Sequence, residues 1–217
     1  VSIDDIGTIG VLGGTGPQGR GLAYRFGLAG ARVLVGSRDP ARAAAVADGL
    51  PGDVEGLSNA DCAAAADIAI VAVPYSGHAD LLRDLAEPLA DTIVVDCVNP
   101  LGFDKQGAFA LDVPEGSAAQ QAAEVLPRSR VVAAFHHVSA VLLEDASVSS
   151  IDTDVLVLGD DRQATDQVQA LAGLIPGMRG VYGGRLRNAR QVEALTANLI
   201  SVNRRYKSHA GLRITDV

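Results

Sequence analysis

Seven residues near the start of the chain, Gly13-Gly14-Thr15-Gly16-Pro17-Gln18-Gly19, have the types and spacing of a loop that receives a pyrophosphate. Within them Gly14-x-Gly16-x-x-Gly19 puts glycine where a Cβ would obstruct a tight turn or keep phosphate oxygens away from the backbone. Pro17 suits the first turn of a helix, because the N–H it lacks would have no partner there. The same helix start offers free N–H groups and a positive dipole end to an anion, and Thr15 adds a hydroxyl donor. Farther on, Gly36 is followed by Ser37 and Arg38, with Arg42 one helical turn later. A fold selective for NAD carries Asp or Glu at this point to bond the ribose 2′-OH. A hydroxyl and two guanidiniums would instead bind a 2′-phosphate, which a carboxylate would repel. The chemistry predicted is NADP(H) binding. Asp39 lies one place late for the ribose and is read as the cap of the next helix.

Three further segments, Val73-Pro74-Tyr75, Asn99-Pro100-Leu101 and Phe135-His136-His137-Val138-Ser139, are apolar with a few polar groups. That mixture suits a nicotinamide slot with a second ring beside it. Hydride transfer needs two desolvated rings held in close register, not a nucleophile or a metal. The four histidines, His78, His136, His137 and His209, form no HxH or HxxxH pair, so no metal site is expected. If a strand runs through His136-His137, the two rings point to opposite sides. His136 is then read as a packing residue. His137 is the candidate catalytic residue, as proton donor or as a group that positions a ring. Val73, Pro74, His78, Asn99, Pro100, Leu101, His137, Val138, Ser139 and Ala140 complete the expected cofactor-binding set.

Regular alternation of strands and helices must position these residues. Ile9–Leu12 reads as a buried strand, and the helix from Pro17 runs to Ala29, where Gly30 ends it. Ala31–Val35, Asp53–Leu57, Ile68–Val73, Thr92–Cys97 and Arg130–Phe135 read as strands. Pro40–Leu50, Asn59–Ala66, Gly77–Leu89 and Ser117–Leu126 read as the helices between them. The stretch Asn99–Gly116 reads as a long loop, functional or mobile. The pattern predicts an α/β fold, a Rossmann-type doubly wound parallel sheet. A boundary near residue 150 separates residues 1–150, the NADP-binding part, from 151–217. The second part is expected to hold a strand at Asp154–Leu158, a helix at Ala164–Leu174, a strand at Gly180–Tyr182 and a long helix from Ala189 to about Lys207. It is read as a small C-terminal α/β domain packed against the first.

Composition fits this picture. The chain has 217 residues, 48% hydrophobic but only 4% aromatic and without Trp, so Ala, Val, Leu and Ile must fill the core. The formal net charge of −8 argues against nucleic acid as a partner. The charge is uneven: Arg179, Arg185, Arg187, Arg190, Arg204, Arg205, Lys207 and Arg213 crowd the end of the chain, opposed there only by Glu193 and Asp216. That end is a candidate receiver of an anionic ligand, or else a solvated or subunit-contact face. Cys62 and Cys97 form no CxxC and read as reduced, buried thiols of a cytoplasmic protein. No apolar stretch is long enough to span a membrane. Val1-Ser2-Ile3-Asp4-Asp5 has no basic region and is not read as a signal peptide.

Taken together, Ile9-Gly10-Val11-Leu12-Gly13-Gly14-Thr15-Gly16, Val35-Gly36-Ser37-Arg38, Asp96-Cys97-Val98-Asn99-Pro100-Leu101, Ala134-Phe135-His136-His137-Val138, Asn188–Leu199 and Asn203-Arg204-Arg205-Tyr206-Lys207 resemble the F420-dependent NADP oxidoreductases, most of all their bacterial branch. The resemblance runs over nearly the whole chain. It implies hydride transfer between the nicotinamide C4 of NADP(H) and C5 of the deazaflavin coenzyme F420, in a cytoplasmic homodimer. By matched position it gives Thr15, Ser37, Arg38 and Arg42 to NADP, although the family more often has Lys where Arg42 stands. Pro74, Asn99-Pro100-Leu101 and His137–Ala140 would line the rings, and Tyr75 stands where the family has Trp. The basic carboxyl-terminal cluster would receive the phosphate and glutamate tail of F420. Two other readings stay open on the residues alone. One is an NADPH-dependent reductase of an imine, ketone or metal chelate. The other is a non-catalytic NADP(H) sensor.

Overall fold

The computed structural model describes residues 6–217; the opening segment 1–5, expected to carry no signal sequence, lies outside them. Six strands run parallel: β1 (Ile9–Leu12), β2 (Val33–Ser37), β3 (Val54–Ser58), β4 (Ile68–Val71), β5 (Ile93–Asp96) and β8 (Arg130–Ala133). They lie in the order β3-β2-β1-β4-β5-β8, so the direction of winding reverses between β1 and β4. A crevice opens at the carboxyl ends of these two neighbours, the place where such sheets take ligands.

Side chains alternate between the two faces of the sheet. Ile68 and Ile70 join one buried cluster, with Leu22 and Phe26 of α1 (Pro17–Leu28) and Leu143 of α6 (Ala140–Glu144). Ala69 and Val71 join the other, with Cys62 of α3 (Asn59–Ala65), Leu82 of α4 (His78–Asp84), Ala122 of α5 (Ala118–Val125) and Val192 of α8 (Ala189–Tyr206). Both faces are therefore dry, and the strands can be apolar throughout. Arg25 ties α1 to the segment around α6. Its guanidinium is buried and donates to the carbonyls of Leu142, Leu143, Asp145 and Val148 at 2.5–2.8 Å.

The structure departs from the sequence reading in four places. The expected helix Gly77–Leu89 starts with a 3₁₀ turn at Tyr75–Gly77 and ends as α4 at Asp84. Pro88 disfavours helical backbone at Glu87 and supplies no N–H. The expected loop Asn99–Gly116 contains a hairpin, β6 (Leu101–Asp104) against β7 (Gly107–Ala110). Its strands hold glycine and few β-branched residues, so propensity hid them. The Phe109 ring lies over Gly102, where a Cβ would run into it, and Asp104 Oδ1 closes the turn by accepting from the N–H groups of Gln106 and Gly107.

The other two differences concern the end of β8 and the strands after it. The strand stops at Ala133, because Phe135 has φ of +63° and turns the chain. This left-handed backbone at an aromatic residue is costly. It is held by a fully buried ring packed edge-on to Phe26, centroids 6.2 Å apart. Lastly, β9 (Thr153–Gly159) pairs antiparallel with β8, and β10 (Met178–Gly184) runs parallel to β9 across α7 (Arg162–Gly173). The elements after residue 150 thus extend one eight-stranded sheet by hydrogen bonding rather than only packing against it. Because β9 is reversed, it begins at the edge where β8 ends, and residues 151–153 stand beside His137.

Candidate active site

The glycine loop shows which of its glycines the fold itself requires. Gly13 has φ of +71°, and a Cβ there would meet the Val73 side chain and the Ala72 carbonyl. At Gly14 a Cβ would stand 2.8 Å from the Val11 carbonyl oxygen, and at Gly19 it would stand 2.7 Å from the Gly14 Cα. These glycines let α1 lie against β1. Gly16 differs: its φ is −81°, and the nearest atom to a Cβ would be the Gly13 oxygen at 3.6 Å. Nothing in the protein needs glycine at this helix start. No side chain caps α1 and no acid stands in its first turn, so the leading N–H groups remain for an anion. Two supports escaped the sequence reading. Asn59 Oδ1 accepts from Gly13 N–H at 3.2 Å, and Gln18 Nε2 donates to the Phe135 carbonyl at 3.3 Å. No motif announced either one, because each joins positions far apart in the chain.

At the end of β2, Ser37 is nearly buried while Arg38 and Arg42 are exposed. Neither guanidinium pairs with a carboxylate among the described residues. Asp39 accepts from the N–H groups of Ala41 and Arg42, capping α2 (Pro40–Ala47), so its charge is turned toward a helix start.

The other strand ends converge on the same edge. Asn99 Nδ2 donates to the His136 carbonyl at 2.8 Å, and Thr196 Oγ1 of α8 lies 3.1 Å from that oxygen. This joins the Asn99-Pro100-Leu101 segment to the one from Phe135 to Ala140. His137, Val138 and Ser139 also border a cavity of about 240 Å³, closed on its far side by residues 150–153 and by His209, Ala210 and Gly211. A larger cavity, about 440 Å³, opens at the opposite edge among Asp67, Asp91, Thr92 and Arg130, and shares no residue with the site.

The histidines divide differently from the expectation. His78 does not line the crevice. It is fully buried, and both ring nitrogens are engaged, with Asp96 and Gln121. The expected cofactor contact gives way to a place behind the wall. With β8 ended before them, both His136 and His137 are buried, and none of their four ring nitrogens has a partner among the described residues. Burial pushes both imidazoles down to about 4. At neutral pH His137 is therefore an uncharged hydrogen-bonding ring with no extra proton to give. Among the described residues no cluster has a metal's ligand set, and no helix is long and apolar enough to cross a membrane.

The basic end of the chain is more nearly neutralised than its sequence suggests. Asp154, fully buried in β9, takes Arg179 at 2.8 Å and Arg213 at 2.7 Å, and accepts from Ile214 N–H. Arg190 pairs with Asp112 at 2.7 Å and Arg185 with Asp160 at 3.7 Å. Arg187, Arg204, Arg205 and Lys207 have no carboxylate partner among the described residues. Glu193 is not one of the opposing surface charges. It is buried, with its carboxylate accepting from the Ala118 and Ala119 N–H groups at the start of α5, and burial raises its carboxyl to about 7.

The family described as NADP oxidoreductase, coenzyme F420-dependent, matches residues 8–100. The chain is 38% identical to the F420-dependent NADP reductase of Methanothermobacter thermautotrophicus, over 96% of this chain and 95% of that one. The chain belongs to the F420-dependent NADP oxidoreductase family. The enzyme of the same name from Methanocaldococcus jannaschii is 37% identical over 96% of this chain and 98% of its own. A crystal structure assigned to the F420-dependent NADP reductases, from Arthrobacter sp. FB24, superposes with a TM-score of 0.81 at 28% identity, over 95% of this chain and 98% of that one. The family match ends where the Asn99-Pro100 turn begins the hairpin, while the similarity to these relatives continues through α8.

Two predictions come from this geometry. Gly16→Ala should leave the melting temperature within about 2 °C of the parent while weakening NADPH binding about tenfold or more, as read by calorimetry and titration. Gly19→Ala should lower both, because it parts α1 from β1. The second concerns acid stability. Histidines whose pKa is lowered in the fold bind protons less readily than in the unfolded chain, so their stabilisation is present above about pH 6.5 and lost toward pH 4. Glu193, raised, acts oppositely over about pH 4.5–7 and offsets one of them. Net stability should therefore fall on acidification below about pH 6.5, by no more than about 1.4 kcal/mol per pH unit for the uncompensated proton. Urea melts of His137→Asn should show a shallower slope.

Proposed function

We propose that the protein catalyses the reversible reaction NADPH + H⁺ + F420 to NADP⁺ + reduced F420. The observation that carries this reading is the pairing of an anion-receptive glycine loop with Ser37, Arg38 and Arg42, whose two guanidiniums are unpaired. It is supported by membership of the family. Gly14, Thr15, Gly16, Pro17, Gln18 and Gly19 hold the pyrophosphate, and Ser37, Arg38 and Arg42 hold the 2′-phosphate. Bound NADPH supplies a hydride from its nicotinamide C4. Val73 and Pro74 wall one side of the ring slot, and Asn99-Pro100-Leu101 another. His137, Val138, Ser139 and Ala140 complete it, with neutral His137 orienting a ring by hydrogen bonding. These apolar surfaces exclude water, so that the rings meet face to face.

Residues 1–150 are read as the NADP-binding domain, and residues 151–217 as the smaller part that closes the F420 side. The unpaired Arg187, Arg204, Arg205 and Lys207 suit the anionic tail of F420. A cytoplasmic homodimer is the working assembly. Buried free thiols at Cys62 and Cys97 favour a reducing compartment, and the exposed Phe103 and Phe109 of the hairpin offer apolar surface for a second copy.

Mixing the protein with NADPH and F420 should bleach the deazaflavin absorbance. Tight NADPH binding without bleaching would instead favour a sensor or a reductase of another substrate. Ser37→Asp combined with Arg38→Ala should shift preference toward NADH by about 100-fold or more, measured as the ratio of kcat/KM values. An unchanged preference for NADPH would remove the 2′-phosphate from this strand end.

A further inference from the structure

Behind the ring slot lies a polar chain whose inner end is wholly buried and whose outer end, at Gln121 and Glu115, is partly exposed. His78 and Asp96 are both wholly buried, with His78 Nε2 2.6 Å from Asp96 Oδ2. On the other side of the ring, Nδ1 stands 2.9 Å from Gln121 Oε1. The orientation of the Gln121 amide is set at its far end, where Nε2 donates to Glu115 Oε1 at 3.2 Å. Gln121 therefore shows His78 an oxygen. With an acceptor at each nitrogen, the ring must donate twice, which only imidazolium does. The groups facing it agree. Asp96 comes from β5, Gln121 from α5, Glu193 from α8, and Tyr75 from the 3₁₀ turn with its ring 6.3 Å away, while Glu115, from the turn before α5, bonds to Gln121. Every charge among them is negative. Burial is the largest single influence and would lower the His78 pKa, but Asp96, Gln121 and Glu193 together outweigh it, and the net displacement is upward.

The same carboxylate governs the ring slot. Asp96 Oδ1 accepts from Val98 N–H at 3.1 Å. Val98 leads directly to Asn99, which holds the His136 carbonyl and, at 3.3 Å, Thr196. Four elements thus meet through one pair: α4 by His78, β5 by Asp96, the end of β8 by His136 and α8 by Thr196.

We propose that His78 is a positioning residue for hydride transfer: as an imidazolium clamped between Asp96 and Gln121, it fixes the Val98–Asn99 turn and so the register of the two segments that wall the rings. This rests on the function proposed above. The phosphate grips of the cofactor lie elsewhere, at α1 and at the end of β2, so His78 acts on ring alignment and not on NADPH affinity.

The first test needs no turnover. Ring ¹H–¹⁵N correlation spectra of the ¹⁵N-labelled protein should show His78 protonated at both nitrogens at pH 7, and Asp96→Asn should convert it to a singly protonated ring. A singly protonated ring in the parent protein overturns the proposal. In the second test, His78→Gln is compared with the parent using NADPH and 4-deuterated NADPH against F420. The expected result is kcat lowered about tenfold with a larger isotope effect, while the NADPH Kd stays within about twofold. A kcat within about twofold of the parent overturns the proposal, as does a fall in kcat accompanied by an equal loss of NADPH affinity. A parent protein that leaves F420 unreduced refutes the function and with it this role. A doubly protonated ring with full activity in His78→Gln refutes only the role of His78.

Discussion

The contact of Gly14 with Gly19 is the constraint on which the site depends. A methyl group on Gly19 would run into Gly14 and Val11 and separate α1 from β1, and one on Gly14 would run into Val11 and Val35 and push the loop off the strands; either way the helix start would no longer point into the crevice between β1 and β4. Its dipole and leading N–H groups fall off in influence within a turn, so a small displacement would forfeit much of the anion site. The rest of the loop follows from this approach. Gly13 turns left-handed to bring the chain over Val73, and Asn59 pins Gly13 from the second face of the sheet. Gly16 is left at the helix start with no atom nearer than 3.6 Å to where a Cβ would stand.

Charge is distributed so that a net acidic protein keeps two exposed cations at the end of β2. Arg38 and Arg42 have no carboxylate partner among the described residues, and the acid between them in sequence, Asp39, is committed to the start of α2. At the other end of the chain half of the apparent positive charge, Arg179, Arg185, Arg190 and Arg213, is paired with carboxylates. Asp154 is buried and would be costly to ionise alone. Arg179 and Arg213 with the Ile214 N–H offset that cost, and together they bind the last residues to the start of β9. This strap carries His209, Ala210 and Gly211 over the cavity beside His137. Arginines that look like a ligand site in the sequence therefore shape the cavity by holding its cover.

The buried histidines illustrate how one residue type is shifted in opposite directions by its surroundings. His78 lies among acids and acceptors, which hold its pKa above the ordinary imidazole value. His136 and His137 lie among apolar groups without partners and are neutral. Neutral buried rings with unfilled hydrogen-bonding positions are destabilising in the protein alone. Such groups are common where a ligand supplies the missing partner, and their place at the end of β8 is where the ring slot is read.

Much of the local structure was legible in the residues. The strand–glycine loop–helix unit, the exclusion of an acid at the ribose position, the cap at Asp39 and the six parallel strands all follow from short-range rules: side-chain period, cap chemistry and the space a Cβ occupies. What the sequence could not disclose depends on partners distant in the chain. The β6–β7 hairpin exists because Phe109 covers Gly102 and β7 lies on α8, and neither feature appears in strand propensity. The strand through His136 ends early because Phe135 packs on Phe26, more than a hundred residues before it. His78 was read as a cofactor contact, and only folding shows Asp96 and Gln121 occupying its nitrogens. The basic tail looked unopposed because its acids, Asp112, Asp154 and Asp160, precede it in the chain. Residue types and spacings thus determined which cofactor the protein can hold, because that recognition is built from neighbours in sequence. Tertiary structure decided which charges remain free and in which direction each buried histidine is shifted, because burial and pairing are properties of the packed chain.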